Sequence, residues 1–342
     1  MYNINYFESQ DDAVNSTPNF PCVVKLATSD KIGIFNGDNS KYTIFVKKGD
    51  FITPQIETKL VCVYDITDVT APTDILYSID KNFIGMEVDG VEVTLSETYS
   101  FTEQGKHVIK FTLEDKTTLT ANSTPSGIFY KCTTLTSVII PYGITKLIDR
   151  SFFECTNLYS VNIPKSVTHI ASRSTFYDTP WYNVYKTDTT HIVDNVIYIN
   201  NIAYDITSQY ITTASIKDGT IHACQSLFDY CRKLTAVTLP NSLINIPAGM
   251  FSWCDRLKSI NIPNNCVSIG DSAFYKCSGL SELTIPVSVK FIGDAFEGCY
   301  NLKSLTYNGT IAQWKEIECK ANWSNDTKIT YVNCTDGTYK LA

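Results

Sequence analysis

Histidine, methionine and tryptophan are scarce in this chain, with 4, 3 and 4 copies among 342 residues. The four histidines (His107, His169, His191, His222) are scattered. No His-Glu-x-x-His pair exists to hold a catalytic zinc. Gly-x-Ser-x-Gly is missing, and so is any glycine-rich loop that could cradle phosphate, so the common nucleophile-elbow and nucleotide sites are not expected. No Cys-x-x-Cys occurs, which removes the usual zinc spacing. Nowhere do 18 apolar residues run together, so no membrane-spanning helix is expected. Lys and Arg number 28 against 35 Asp and Glu, a net charge of −7 with no basic stripe, and nucleic acid is not expected as a partner. Met1-Tyr2-Asn3-Ile4-Asn5 has no basic n-region and no long apolar run behind it, so no signal peptide is read. No cofactor or metal is expected. The Asp-rich stretch Asp65–Asp80 matches no calcium loop and reads as a solvated acidic face.

What is present is a packed globular composition, 44% hydrophobic and 18% charged. Charge is uneven: residues 1–122 hold 18 acidic and 10 basic side chains, residues 123–342 hold 17 and 18. Six of the 12 cysteines recur at one position of a short repeat: Cys132, Cys155, Cys231, Cys254, Cys277 and Cys299, mostly 23 residues apart. A Phe stands three before each and a Leu three after. An aliphatic pair, usually a proline and a further aliphatic residue follow. One unit runs Phe129, Cys132, Leu135, Val138, Ile140, Pro141, Ile144, Leu147; another runs Phe251, Cys254, Leu257, Ile260, Ile262, Pro263, Val267, Ile269. A fixed short period means a solenoid, because one unit cannot bury its own apolar face and must stack. Val138 and Ile140 alternate with Ile139, which predicts a short strand with two residues inward. The proline has no N–H for the ladder and ends the strand. The cysteines read as buried thiols acting as small apolar residues. Whether Cys319 and Cys334 pair stays open.

The pattern Phe-x-x-Cys-x-x-Leu-x-x-aliphatic-x-aliphatic-Pro resembles the BspA-type leucine-rich repeat over residues 125–305. The segment Thr98–Leu113, leading straight into the first unit, resembles proteins of gut Bacteroides and their phages. The resemblance implies the repeats (123–304) with a β-hairpin insert (179–215) and a C-terminal cap (305–342); the strand-type runs before them read as an N-terminal β module (1–58) and a small β-sandwich capping the solenoid (59–122), so a mainly β fold is expected. In the insert, Val196, Tyr198 and Tyr204 flank an Asn-Asn turn, a hairpin signal. In the N-terminal third Ile44–Val46, Leu60–Tyr64, Val91–Leu95 and Val108–Leu113 read as strands.

Binding, not catalysis, is the expected function. The outward strand positions (Ser137, Ile139, Ser160, Asn162, Ala236, Thr238, Ser259, Asn261, Glu282, Thr284, Ser304, Thr306) form a small, nearly uncharged face without Trp, Tyr or Arg. Aromatics crowd the insert instead, and Trp181, Tyr182, Tyr185, Tyr198 and Tyr204 are the candidate binding residues for a protein or surface glycan. The resemblance leaves two settings open. One is a phage virion component docking to other virion proteins through its N-terminal module. The other is a bacterial cell-surface adhesin.

Overall fold

The computed structural model describes residues 22–25, 32–35, 58–79, 81–115, 117–119 and 127–341. Of the expected first module, the strands Cys22–Lys25 and Ile32–Phe35 pair antiparallel, and the run at Ile44–Val46 lies outside the described residues.

The repeats form stacked coils, and the 23-residue period becomes register. Ser137 pairs with Ser160, Val138 with Val161, Thr213 with Ala236 and Glu282 with Ser304, all in parallel. A second, shorter ladder forms where each coil returns: Lys146 against His169, Asn245 against Ser268, Ser268 against Phe291. Between the ladders the proline ends the strand and opens a turn, its carbonyl accepting from the amide three residues on: Leu243 N to Pro240 O at 3.1 Å, Val289 N to Pro286 O at 3.2 Å. Phe, Cys and Leu make the third corner. There Cys254 N donates to Phe251 O at 3.1 Å and Leu257 N to Cys254 O at 3.1 Å, while Phe251 N reaches Ala273 O of the next coil at 2.8 Å. The Phe rings stack down the core at 5.3 Å (Phe129–Phe152) and 5.2 Å (Phe152–Phe176), then at 5.5, 5.3 and 5.5 Å from Phe228 through Phe251 and Phe274 to Phe296.

Three details differ from the sequence reading. In the fourth unit the inward position after the proline belongs to Cys266, which is fully buried, while Val267 is 46% exposed. Spacing decides: Cys266 stands three after Pro263, as Ile144 does after Pro141 and Val289 after Pro286. Ile139 and Asn162, expected outward, are buried. Ile139 lies between register neighbours, Asn162 on one side and Val61 on the other, and that flanking covers it. And Thr213–Ser215, at the end of the expected insert, already pairs with Ala236–Thr238 as a full rung, with Ala214, Ile216, Thr220 and Ala223 buried where Val237, Leu239, Leu243 and Ile246 stand one coil later.

The segment before the repeats covers the first rung by sharing its sheet. Leu60–Ile66 pairs antiparallel with Leu135–Ile139 on one side and with Gly105–Leu113 on the other, and Phe83–Val88 and Val91–Val93 extend the sheet outward. At the far end the tail makes one more, longer coil. Glu318–Cys319 pairs with Phe291–Ile292 and Tyr331–Cys334 with Ser304–Tyr307, before Gly337–Lys340 turns back antiparallel. A four-residue helix, Ile311–Trp314, starts on a Thr310/Gln313 capping box and sets Trp314 against Tyr307 and Trp323. Cys319 and Cys334 are both free thiols.

Candidate recognition surfaces

The insert opens with Thr179, whose hydroxyl accepts from Tyr182 N and caps the helix Pro180–Tyr185, with proline at its first position. The chain then forms the expected hairpin, Val196–Ile199 against Ile202–Ile206, turned by Asn200 in the left-handed region at φ 54°. The Asn200 amide donates to Pro164 O at 3.0 Å and Val167 O at 3.3 Å, clamping the turn onto the second coil. All eight non-polar hairpin residues are buried, and they face two ways. Ile199, Ile202 and Tyr204 join the core of the cap and first coils; Val196, Tyr198, Ala203 and Ile206 join the core of the later coils.

The five candidate aromatics are brought together here. Tyr204 is fully buried, its hydroxyl donating to Arg173 O at 2.9 Å and accepting from Phe176 N at 3.2 Å. Tyr182 is buried and donates to Asp205 Oδ2 at 2.7 Å; burial, with that carboxylate beside it, holds its hydroxyl protonated far above the ordinary phenol range. Tyr198 is buried and its oxygen accepts from Lys217 N at 2.9 Å. Tyr185 is half-buried, donates to Tyr198 O at 2.7 Å and stacks on His191 at 4.0 Å. Trp181 is half-buried between Phe176 at 4.8 Å and Tyr185 at 5.0 Å. Every tyrosine hydroxyl of the cluster is engaged inside the protein, and only the edges of Trp181 and Tyr185 reach solvent.

The strand face is open from the fourth rung on: Ala236, Thr238, Ser259, Asn261, Glu282 and Thr284 are all exposed. A different surface carries the aromatics. At most of the corners that hold a cysteine, an aromatic one or two places before it points outward and meets its counterpart in a neighbouring coil. Tyr130, Phe153 and Tyr177 stack at 5.3 and 5.0 Å, with Tyr77 of the cap edge-on to Tyr130 at 5.1 Å. Beyond the insert Tyr230 stacks on Trp253 at 5.6 Å, and Tyr275 meets Trp253 edge-on at 6.0 Å. Cations sit on these rings: Lys131 on Tyr130, Arg150 on Phe153, Arg232 and Lys276 on Trp253 at 4.8 and 4.3 Å. The sequence carries a signal for this ridge, an aromatic one or two places after every repeat Phe except Phe296. It is irregular, because Tyr130, Phe153 and Tyr275 stand two before the cysteine whereas Tyr230 and Trp253 stand one before.

Among the described residues, no group of three or more His, Cys, Asp or Glu is placed to hold a metal ion, and no helix is long and apolar enough to cross a membrane. The Asp-rich stretch is mostly surface, with Asp68 hydrogen-bonded to its neighbour Thr70.

Comparison with known proteins gives one strong match. The sequence model of the BspA type leucine rich repeat region matches in 6 copies, over residues 90–180, 122–208 and 197–318. No curated protein matches. Among solved structures, a leucine rich cell surface protein from Faecalibacterium prausnitzii A2-165 is 23% identical with a TM-score of 0.33, the match covering 56% of this chain and 64% of that one. A leucine-rich repeat protein from Bacteroides ovatus ATCC 8483 is 19% identical, TM-score 0.30, covering 62% and 58%. The pneumococcal vaccine antigen PcpA is 18% identical, TM-score 0.40, covering 59% and 57%. The chain thus spans about three fifths of these solved chains. None of these matches supports the expected role in a phage particle.

Proposed function

The chain belongs to the BspA-type leucine-rich repeat family, and from that premise we propose that it is a non-enzymatic recognition scaffold that holds a protein partner on its solenoid. One observation carries the reading: the aromatic ridge. Tyr, Trp and Arg are the residues that dominate protein interfaces, and here they stand partly or fully exposed on corners fixed by coil-to-coil hydrogen bonds. Tyr77, Tyr177 and Tyr230 are each 46% exposed or more. Side chains so anchored lose little freedom on binding, which favours affinity. Surface glycan, the other expected partner, is less well served, because a sugar docks on an open ring face and the ridge rings use their faces on one another. The insert cluster contributes rigidity rather than contact.

The test is a binding screen of the immobilised full chain against purified proteins and a glycan array. A protein partner is expected whose affinity falls at least about tenfold when Tyr130 and Tyr177, or Tyr230 and Tyr275, become alanine. Binding that survives both pairs would remove the ridge from the reading. Hydrolytic turnover abolished by one substitution would replace the scaffold with an enzyme.

A further inference from the structure

We propose that the ridge around Trp253 is a docking site for an acidic segment of the partner protein, an inference that rests on the protein-binding reading above.

The first ground is a backbone conformation that the coil imposes. The residue just before the repeat cysteine is left-handed in coil after coil: Lys131 at φ 61°, Glu154 at 54°, Tyr230 at 60°, Trp253 at 59°, Lys276 at 55° and Gly298 at 77°. Glycine takes this conformation freely, and a bulky side chain there is a true outlier. Two adjacent coils nevertheless place Tyr and Trp at it, and neither ring is buried in return: Tyr230 is 46% exposed and Trp253 half-buried. Their stacking on each other returns only part of that strain, and strain held at a partly exposed position points to a working contact.

The second ground is how the rings present themselves. Trp253 lies nearly parallel to Tyr230, at 14°, and Arg232 and Lys276 sit over its indole. Its faces are occupied, so its edge is what a partner meets. Aromatic edges carry the positive end of the ring quadrupole. The same two cations add positive charge over the ring, and Lys276 also lies 5.0 Å from the Tyr275 ring. Asp255 approaches Arg232 at 3.8 Å and Glu297 lies near Lys276, so an incoming carboxylate competes with one acid at each cation. Positive edges framed by Arg and Lys suit a run of Asp and Glu.

Fluorescein-labelled poly-L-glutamate is the probe, measured by anisotropy with the full chain at low salt, against polygalacturonate as an anionic sugar of similar charge. Trp253→Gly is the informative variant, since it removes the ring and relieves the strained φ, so its thermal midpoint should stay within a few degrees of the parent. We expect poly-L-glutamate to bind, Trp253→Gly to bind at least about tenfold more weakly, and Arg232→Ala with Lys276→Ala to lose most of the salt-sensitive part. No binding by the parent chain, or equal binding by Trp253→Gly, overturns the proposal. Equal retention of polygalacturonate by the same residues also overturns it, by making the site a generic anion surface. If a partner from the screen depends on Tyr130 and Tyr177 but not on Trp253, the scaffold reading stands and this site falls.

Discussion

At the scale of the residue, the recurring cysteine is explained by one bond. The Cys155 thiol donates to Phe129 O at 2.9 Å, Cys277 to Phe251 O at 2.9 Å and Cys299 to Phe274 O at 3.0 Å. Each thiol thus ties its coil to the carbonyl of the one before, in a space that admits a small side chain with a weak donor. Burial pushes Cys155, Cys231 and Cys299 up to about 12, so they are not nucleophiles at neutral pH. The repeat thiols should therefore fail to react with Ellman's reagent in the native state at pH 8 and react fully in denaturant. Fast native labelling of the repeat cysteines would mean the corners open. Packing at these positions can be read by mutation. Leu257 is fully buried and Ser259, two residues on, is exposed. Leu257→Ala should cost about 2–5 kcal/mol in urea unfolding and Ser259→Ala within about 0.5 kcal/mol. Comparable losses would reverse the inward and outward assignment. The sequence made most of this legible because one residue type recurs at one position. It misled at Val267 because resemblance of side chain was followed where spacing ruled.

At the scale of the element, the hairpin and the return ladder are the places to test. Asn200 does two things, taking a left-handed φ and clamping Pro164 O and Val167 O. Asn200→Gly keeps the first and loses the second, so a cost of about 1–2 kcal/mol measures the clamp, and Asn200→Ala should cost more. A cost near zero for the glycine variant would mean the clamp is idle. Where the return ladder meets the strand after the hairpin, the His169 and His222 rings lie 3.9 Å apart and tilted by 38°, and His222 Nε2 donates to Ile170 O at 3.1 Å. Burial first, then His169, brings His222 down to about 4, below its ordinary 6.5. The unfolded chain therefore takes up the proton first. Stability from this pair is complete above about pH 6.5 and drains as pH falls towards 4. His107 shifts the opposite way through its contact with Asp89, so the difference between variants is the clean reading. His222→Gln should flatten the acid side of the stability profile between those limits by an amount on the order of 2 kcal/mol. An unchanged slope would place the acid sensitivity elsewhere. The hairpin was legible through Asn200-Asn201. The rung that follows was not, because Lys217 stands where the proline belongs and Thr220 where the aliphatic residue belongs.

At the scale of the whole molecule, the apolar interior is two cores rather than one, parted at the hairpin. The cap and early coils form one, with Leu60, Phe111, Phe129 and Phe152; the later coils form the other, with Phe228, Phe251, Phe274 and Phe296. Hydrogen exchange in moderate urea should release the amides of residues 228–334 as one group, apart from those of residues 60–204. Release of all together would mean that the hairpin couples the halves fully. The shared sheet behind the first core was hidden in the sequence. Leu60–Ile66 lies outside the 23-residue period, and nothing in its own residues says that its partner is Leu135–Ile139.

A column of like coils passes fraying along as readily as it passes stability, since each coil knows only its neighbours. The hairpin interrupts that. Its two strands present different side chains to the two sides, so damage that starts in the tail meets a surface it does not match. It is expected to act as a firebreak: His222, Cys224 and Gln225 still bond to Ile170 and Ala171, but a nick or an oxidised residue beyond Gln225 should leave the cap and first coils standing. For the same reason whole coils can be gained or lost on the far side without disturbing the near one, which makes the segment after the hairpin the part of the molecule free to vary in length.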